Sequence, residues 1–259
     1  MPSVLRNITK PLLVIAGLLA WTGTASPQKP PVWRFWEVGD GMAESYTVGI
    51  TIDAAGRVWA QHGEVNTMSW LDGYSVHQIP SPRFGRRIHA GPGQRLWTMS
   101  PEGLREFRDA RWVLHPVPEV SQLPGGTRSR LPLLPLASGR ILLLLPDRLA
   151  EYDAARGTLR VILAARATQL QSFLQMAESQ DGGVWITGQR GVGRLAGVLH
   201  ARPGIWTETR VNLPGLERFE NPMPGDGDEL FVVGRAAGGS SRTALHYDGR
   251  AWRALLTSE

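Results

Sequence analysis

Leu174-Gln-Met-Ala-Glu-Ser-Gln-Asp-Gly-Gly-Val-Trp-Ile-Thr-Gly188, followed by Gly191-Val-Gly-Arg-Leu195, holds three short apolar runs separated by turn residues. None of the runs is long enough for a helix, and Asp181-Gly-Gly supplies a tight turn, so the stretch reads as three strands joined by hairpins. The same turn-then-aromatic unit recurs as Asp53-Ala-Ala-Gly-Arg-Val-Trp59 and Gly91-Pro-Gly-Gln-Arg-Leu-Trp97. Weaker copies are Ser138-Gly-Arg-Ile-Leu142 and Asp226-Gly-Asp-Glu-Leu-Phe231. Aligned on Trp59, Trp97, Leu142, Trp185 and Phe231, the copies lie 38, 45, 43 and 46 residues apart. That period is the length of one propeller blade.

Each unit continues into a second apolar run: Ser69 to Gly73, Gly103 to Phe107, Arg148 to Asp153, Gly193 to Gly197 and Ala244 to Gly249. A further strand follows at Tyr74 to Ile79, Arg111 to Val117, Thr158 to Leu163, Trp206 to Val211 and Ala251 to Leu256. Innermost strands are predicted before each unit, at Thr47 to Ile52, Arg83 to His89, Leu131 to Leu136, Ser172 to Glu178 and Arg218 to Met223. A four-stranded sheet cannot cover both its own faces, and radial stacking of several sheets solves this. The fold class is therefore all-β, a propeller of about five four-stranded blades over residues 32–259. The blades fall at about 40–80, 81–120, 121–165, 166–212 and 213–257. Val32 to Val38, with Trp33 and Trp36, reads as an outer strand left over. Five blades can close alone, but the leftover strand favours the front part of a larger, seven-bladed propeller.

Of 259 residues, 28 are Lys or Arg and 23 are Asp or Glu, which gives a net charge of +5, and there is no cysteine. A disulfide framework, a thiolate metal site and a cysteine nucleophile are thereby excluded. Arg6 and Lys10, an apolar run from Leu12 to Trp21, and the small residues Gly23 and Ala25 read as a signal peptide over residues 1–25. Residues 26–31 form a leader. The expected location is exported, in the periplasm.

The stretch from Leu174 to Leu195, with Ile50-Thr-Ile-Asp-Ala-Ala-Gly-Arg-Val-Trp59, resembles the repeat of two-component regulator propellers, the periplasmic sensor portions of bacterial hybrid histidine kinases. The resemblance covers about residues 32–257, and only the first and fourth copies match well. The third lacks both the Asp and the Trp. The resemblance implies a sensor that receives a small-molecule or oligosaccharide ligand and passes the signal to a membrane histidine kinase, or to a C-terminal continuation.

The six histidines, 62, 77, 89, 115, 200 and 246, show no pair at ligand spacing, so neither a metal nor another cofactor is expected. Asp226, Asp228 and Glu229 read as a solvated hairpin turn rather than a calcium loop. No nucleophile elbow or phosphate-cradling loop is present, and the reading is a non-enzymatic binding module. Its enzymatic alternative is a metal-dependent, streptogramin-lyase-like propeller using His62, Glu64 and His89. A second alternative is a protein-binding envelope scaffold. For ligand binding, the loops leading into the innermost strands supply Arg83, Arg86, Arg87, His89, Arg128, Arg130, Gln171 and Arg218, with Glu44, Tyr46, Gln169 and Glu220 beside them. Arginines from several blades around one mouth would grip a carbohydrate or other anionic ligand through paired N–H donors. The arginines are interspersed with acids along the chain, so nucleic acid is not expected as a partner.

Overall fold

The computed structural model describes residues 34–82, 87–124, 131–196 and 204–258. Within them lie five four-stranded antiparallel sheets, each built from strands consecutive in the chain. Blade 1 comprises β1 (Thr47–Ile52), β2 (Val58–His62), β3 (Thr67–Leu71) and β4 (Val76–Pro80). Blade 2 comprises β5 (Ile88–Ala90), β6 (Leu96–Ser100), β7 (Gly103–Arg108) and β8 (Arg111–Pro116). Blade 3 comprises β9 (Leu133–Pro135), β10 (Arg140–Leu145), β11 (Arg148–Asp153) and β12 (Thr158–Ala164). Blade 4 comprises β13 (Phe173–Glu178), β14 (Val184–Gly188), β15 (Val192–Ala196) and β16 (Ile205–Thr209). Blade 5 comprises β17 (Leu216–Pro224), β18 (Glu229–Ala236), β19 (Arg242–Asp248) and β20 (Trp252–Ser258). The innermost strands follow one another in chain order, each beside the next. The five blades stand in a ring, so the fold is a five-bladed β-propeller.

Strand composition follows from position in this stack. β14 is buried along its whole length and β10 from Ile141 to Leu145, because a second strand has a neighbouring blade against each face. Outer strands such as β4 and β20 alternate or face solvent. Four apolar layers join the blades. Trp59 and Met68 meet Ile88, Leu96 and Phe107 between blades 1 and 2. Trp97, Met99 and Leu104 meet Leu133, Ile141 and Tyr152 between blades 2 and 3. Leu142, Leu144 and Leu149 meet Phe173, Val184 and Ile186 between blades 3 and 4. Trp185 and Val192 meet Phe219, Leu230 and Val232 between blades 4 and 5. Gly91 permits the close approach of blades 2 and 3, since a Cβ there would lie 3.1 Å from Pro135 and 3.1 Å from the Trp97 ring. The four-residue helix α1 (Pro118–Ser121) places Val120 in the layer between blades 2 and 3.

The turn joining the first two strands of each blade carries a charge or aromatic lock. In blade 1 the side chain of Asp53, fully buried, accepts from Trp59 Nε1 at 2.9 Å, from Arg57 Nε at 2.7 Å, and from the amides of Ala55 and Arg57. Burial pushes the Asp53 carboxyl up, and the bonds from Trp59 and Arg57 outweigh it, so the group stays below its ordinary value. Arg57 also lies over the Trp59 and Trp70 rings. Blades 2 and 3 move the acid to the third strand: Glu106 faces Arg95 at 3.3 Å, and Glu151 faces Arg140 at 3.0 Å. Blade 4 exchanges the signs, with Arg194 on the third strand bonding Asp181 of its own turn and Asp228 of blade 5 while covering the Trp185 ring. In blade 5 His246 stacks on Phe231, centroids 4.5 Å apart. In each blade the partner occupies the third-strand position paired with the aligned Trp, Leu or Phe: Trp70, Glu106, Glu151, Arg194 and His246.

Three expectations change. The described part of Val32 to Val38 is not a strand: residues 34–37 are irregular and a 3-10 turn covers Val38–Asp40. Trp36 and Met42 instead pack on Ala60, Leu71 and Val76, covering the outer half of the far face of blade 1. Second, Asp226 and Asp228 are not simply solvated, because they accept from Gln180 and Arg194 and so tie blade 5 to blade 4. Third, the innermost strand of blade 3 shrinks to three residues and that of blade 5 lengthens to nine. In β17 Pro222 is accommodated by a bulge between Glu220 and Met223, where Asn221 takes φ 52° and its amide bonds Gln175 of blade 4.

Two stability measurements check these assignments. Trp185→Ala is expected to cost ~3–5 kcal/mol in urea denaturation, the range for emptying a buried Trp site. Asp53→Ala, which strands Trp59 Nε1 and Arg57, is expected to cost about 2–3 kcal/mol. A loss near zero for either variant removes that residue from the inter-blade layer.

Candidate functional site

Strand alternation within each blade puts two kinds of connection at one end of the propeller: the segments entering the innermost strands, and the loops between second and third strands. The locked turns stand at the opposite end. Of the eight residues predicted for ligand binding, Arg83, Arg86, Arg128 and Arg130 lie outside the described residues. The other four are Arg87, His89, Gln171 and Arg218.

Arg87 leads directly into β5, and its carbonyl accepts the Thr98 hydroxyl at 2.7 Å, which pins the start of the strand. His89 follows within β5. Its neighbours Ile88 and Ala90 pack toward blade 1, so alternation turns His89 to the blade 3 side. His89 makes no hydrogen bond to a described residue. Burial, aided by the nearby Arg87 charge, pushes its imidazole down to about 4, so it is neutral at neutral pH. A neutral ring can both donate and accept, which suits a hydroxyl-bearing ligand.

Gln171 is exposed in the loop entering β13, with φ 63°. Beside it the Gln169 amide bonds Glu208, the carboxylate that also takes Trp206 Nε1 at 2.7 Å. The loop is thus anchored to the outer strand of its own blade and leaves Gln171 outward. Arg218 differs from the expectation of a free cation, since Nε lies 2.6 Å from Glu220, a carboxylate shared with Arg235 at 2.9 Å. The structure therefore brings together Arg87 and His89, but it commits Arg218 to an ion pair on blade 5.

The residues of the enzymatic alternative do not converge. His62 is buried in β2, where Nε2 meets Ser69 Oγ at 2.8 Å and that hydroxyl accepts the Ala43 amide. Glu64 lies exposed in the next loop, its amide bonded to Glu44. Among the described residues no three His, Asp or Glu side chains stand close enough to hold a metal ion. One further titratable group was not singled out from sequence: Glu178 ends β13 with its side chain exposed, and partial desolvation alone pushes its carboxyl up. Only its place immediately before the Ser179–Asp181 turn could have drawn attention to it.

No protein-family model and no curated protein matches the chain. Among solved structures it is similar to the extracellular domain of a hybrid two-component system from B. thetaiotaomicron, at 12% identity and TM-score 0.58, over 83% of this chain and 29% of that one. The extracellular domain of a one-component system from the same organism matches at 11% identity and TM-score 0.58, over 83% and 30%. An inactive variant of virginiamycin B lyase from Staphylococcus aureus matches at 15% identity and TM-score 0.55, over 79% and 68%. The likeness is one of fold. The chain spans less than a third of each of the two extracellular domains.

His89 gives the site a pH signature. Its folded value lies below the ordinary 6.5, so its contribution to stability is fully present above pH 6.5 and is lost as pH falls toward about 4. The loss is at most on the order of 3 kcal/mol. His89→Gln is expected to flatten the difference in unfolding free energy between pH 7 and pH 4.5, measured by urea titration against the parent. Equal pH dependence in the two proteins places the His89 ring in water instead.

Proposed function

We propose that this propeller is an exported binding and sensing module without catalysis of its own, which takes a carbohydrate or other anionic small ligand at the end where the chain enters its innermost strands. The observation that carries this reading is Arg87 beside a half-buried His89, neutral at neutral pH and making no hydrogen bond to a described residue, at the start of an innermost strand. A guanidinium next to a neutral imidazole offers charge for a carboxylate and hydrogen bonds for hydroxyls. Arg83, Arg86, Arg128 and Arg130, which precede β5 and β9 in the sequence, would add cations from two blades. The fold shared with the extracellular domains of two-component and one-component systems supports a sensing role. Output would pass to a membrane histidine kinase or to further polypeptide. Residues 1–25, read as a signal peptide, support export.

The reading is tested by thermal shift of the protein with acidic and neutral oligosaccharides, with and without divalent metal. Ligand at 100 times Kd stabilises by ~2.7 kcal/mol, enough for a clear rise in melting temperature. An acidic oligosaccharide is expected to raise it without metal, and Arg86→Ala with Arg87→Ala to abolish the rise while leaving the unliganded melt unchanged. A rise that demands metal would move the lyase-type reading ahead. No rise with any acidic glycan contradicts the ligand class.

A further inference from the structure

Across blade 5 runs a row of arginines that its own acids do not neutralise. Register sets Arg218 of β17 opposite Arg235 of β18, and Arg235 opposite Arg242 of β19. Ser258 of β20 ends the row with a neutral side chain. Phe219 lies in the layer between blades 4 and 5, so alternation turns Arg218 and Glu220 to the opposite face of the sheet. Arg235 and Arg242, directly across from Arg218, share that face. Like charges opposite one another weaken a sheet, and here three stand side by side at the end where the chain enters its innermost strands.

One carboxylate serves all three. Glu220 lies 2.6 Å from Arg218 Nε and 2.9 Å from Arg235 Nε, while the exposed Arg242 side chain makes no ion pair or hydrogen bond with a described residue. Glu217, in the bulge before Arg218, forms no ion pair with a described residue. Three guanidiniums against one carboxylate leave two positive charges on this face. The side chains of Arg218 and Arg235 are 55% and 37% exposed, so a solute reaches them.

The loop beside the row is open to an anion. Arg235 and Arg242 flank Ala236-Ala-Gly-Gly-Ser-Ser241, whose largest side chain is a serine. Gly238 takes φ 63°, a conformation most side chains avoid. Ser241 Oγ is spent on the Ser258 carbonyl at 2.8 Å, but the Ser240 hydroxyl bonds no described residue, and residues 237–240 are exposed. Backbone and one hydroxyl therefore lie next to the cations with no bulky side chain to block an incoming group.

We infer that Arg218, Arg235 and Arg242, with the Ser240 hydroxyl, form a binding site for a phosphate group. Charge selects the class: a phosphate monoester or free phosphate carries about two negative charges near neutral pH and matches the surplus, whereas a carboxylate carries one. Guanidinium forks also fit phosphate oxygens in pairs. The site uses neither Arg87 nor His89, so it goes beyond the ligand reading above and stands without it.

Isothermal titration calorimetry of the purified full-length chain at low ionic strength tests this with inorganic phosphate, glucose 6-phosphate and acetate. Both phosphates are expected to bind, and acetate to bind at least tenfold more weakly. A sugar phosphate held more tightly than inorganic phosphate identifies an organic monoester as the source, and the reverse order identifies free phosphate. Arg235→Gln combined with Arg242→Gln is expected to weaken phosphate binding by at least tenfold. Arg250→Gln, which removes an exposed cation at the opposite end of the same blade, is expected to leave it unchanged. Without ligand, Arg242→Gln is expected to melt no lower than the parent, because it relieves repulsion in the row; a lower melt assigns Arg242 to the fold and overturns the site. So does a lack of phosphate binding at millimolar concentration, acetate binding as tight as phosphate binding, or phosphate binding that survives the double variant.

Discussion

A four-stranded sheet whose second strand is apolar on both faces must be covered on both sides, and this constraint organises the molecule. β14 is buried from end to end and β10 from Ile141 to Leu145, because blades flank them on either side. Each layer is filled by large side chains from both sheets, so no blade has a core of its own and stability accrues across neighbours. Where a neighbouring sheet does not supply the cover, other devices take over. The segment with Trp36 and Met42 lies on the outer half of blade 1, while Val48, Ile50 and Ile52 stay in water.

Two ends result from this stacking, and they differ in chemistry. At one end, turns between the first two strands are held by Asp53, Glu106, Glu151 and Arg194, each engaged with a cation or anion close to the aligned Trp or Leu. In blade 4 the Ser179 hydroxyl, with the Gly183 amide and Arg194, draws the Asp181 carboxyl down to about 2 against its burial. Such groups are consumed by structure. At the other end the chain enters the innermost strands through longer loops, and there Arg87, His89 and Gln171 are not spent on one another. A scaffold locked at one end and presenting loops at the other is the usual arrangement for a binding site.

The blades were legible because the signals that define them are local. A turn, an aromatic and a strand-length apolar run recur at one period, and β1 begins and ends where alternation in Thr47 to Ile52 says it should. The locks were not legible as a set, since acid and base exchange places between blades and only the strand register reveals that Trp70, Glu106, Glu151, Arg194 and His246 share one position. Trp36 misled because an aromatic in an extended-looking run suits a strand as well as it suits a cover, and Gly39 with Gly41 turned the chain instead. At the site, sequence identified Arg87 and His89 as rim residues but could not show that Arg218 is committed to Glu220, two residues along the same strand.

The central claim is that ligand meets the loop end of this propeller and leaves the locked end untouched. Hydrogen–deuterium exchange with and without an acidic oligosaccharide measures this directly, because bound ligand slows exchange where it orders backbone. Slower exchange is predicted in the segments entering β5, β9 and β13, with none at Asp53–Arg57 or Ser179–Gly183. Protection at those turns, or spread evenly over all five blades, would contradict the account.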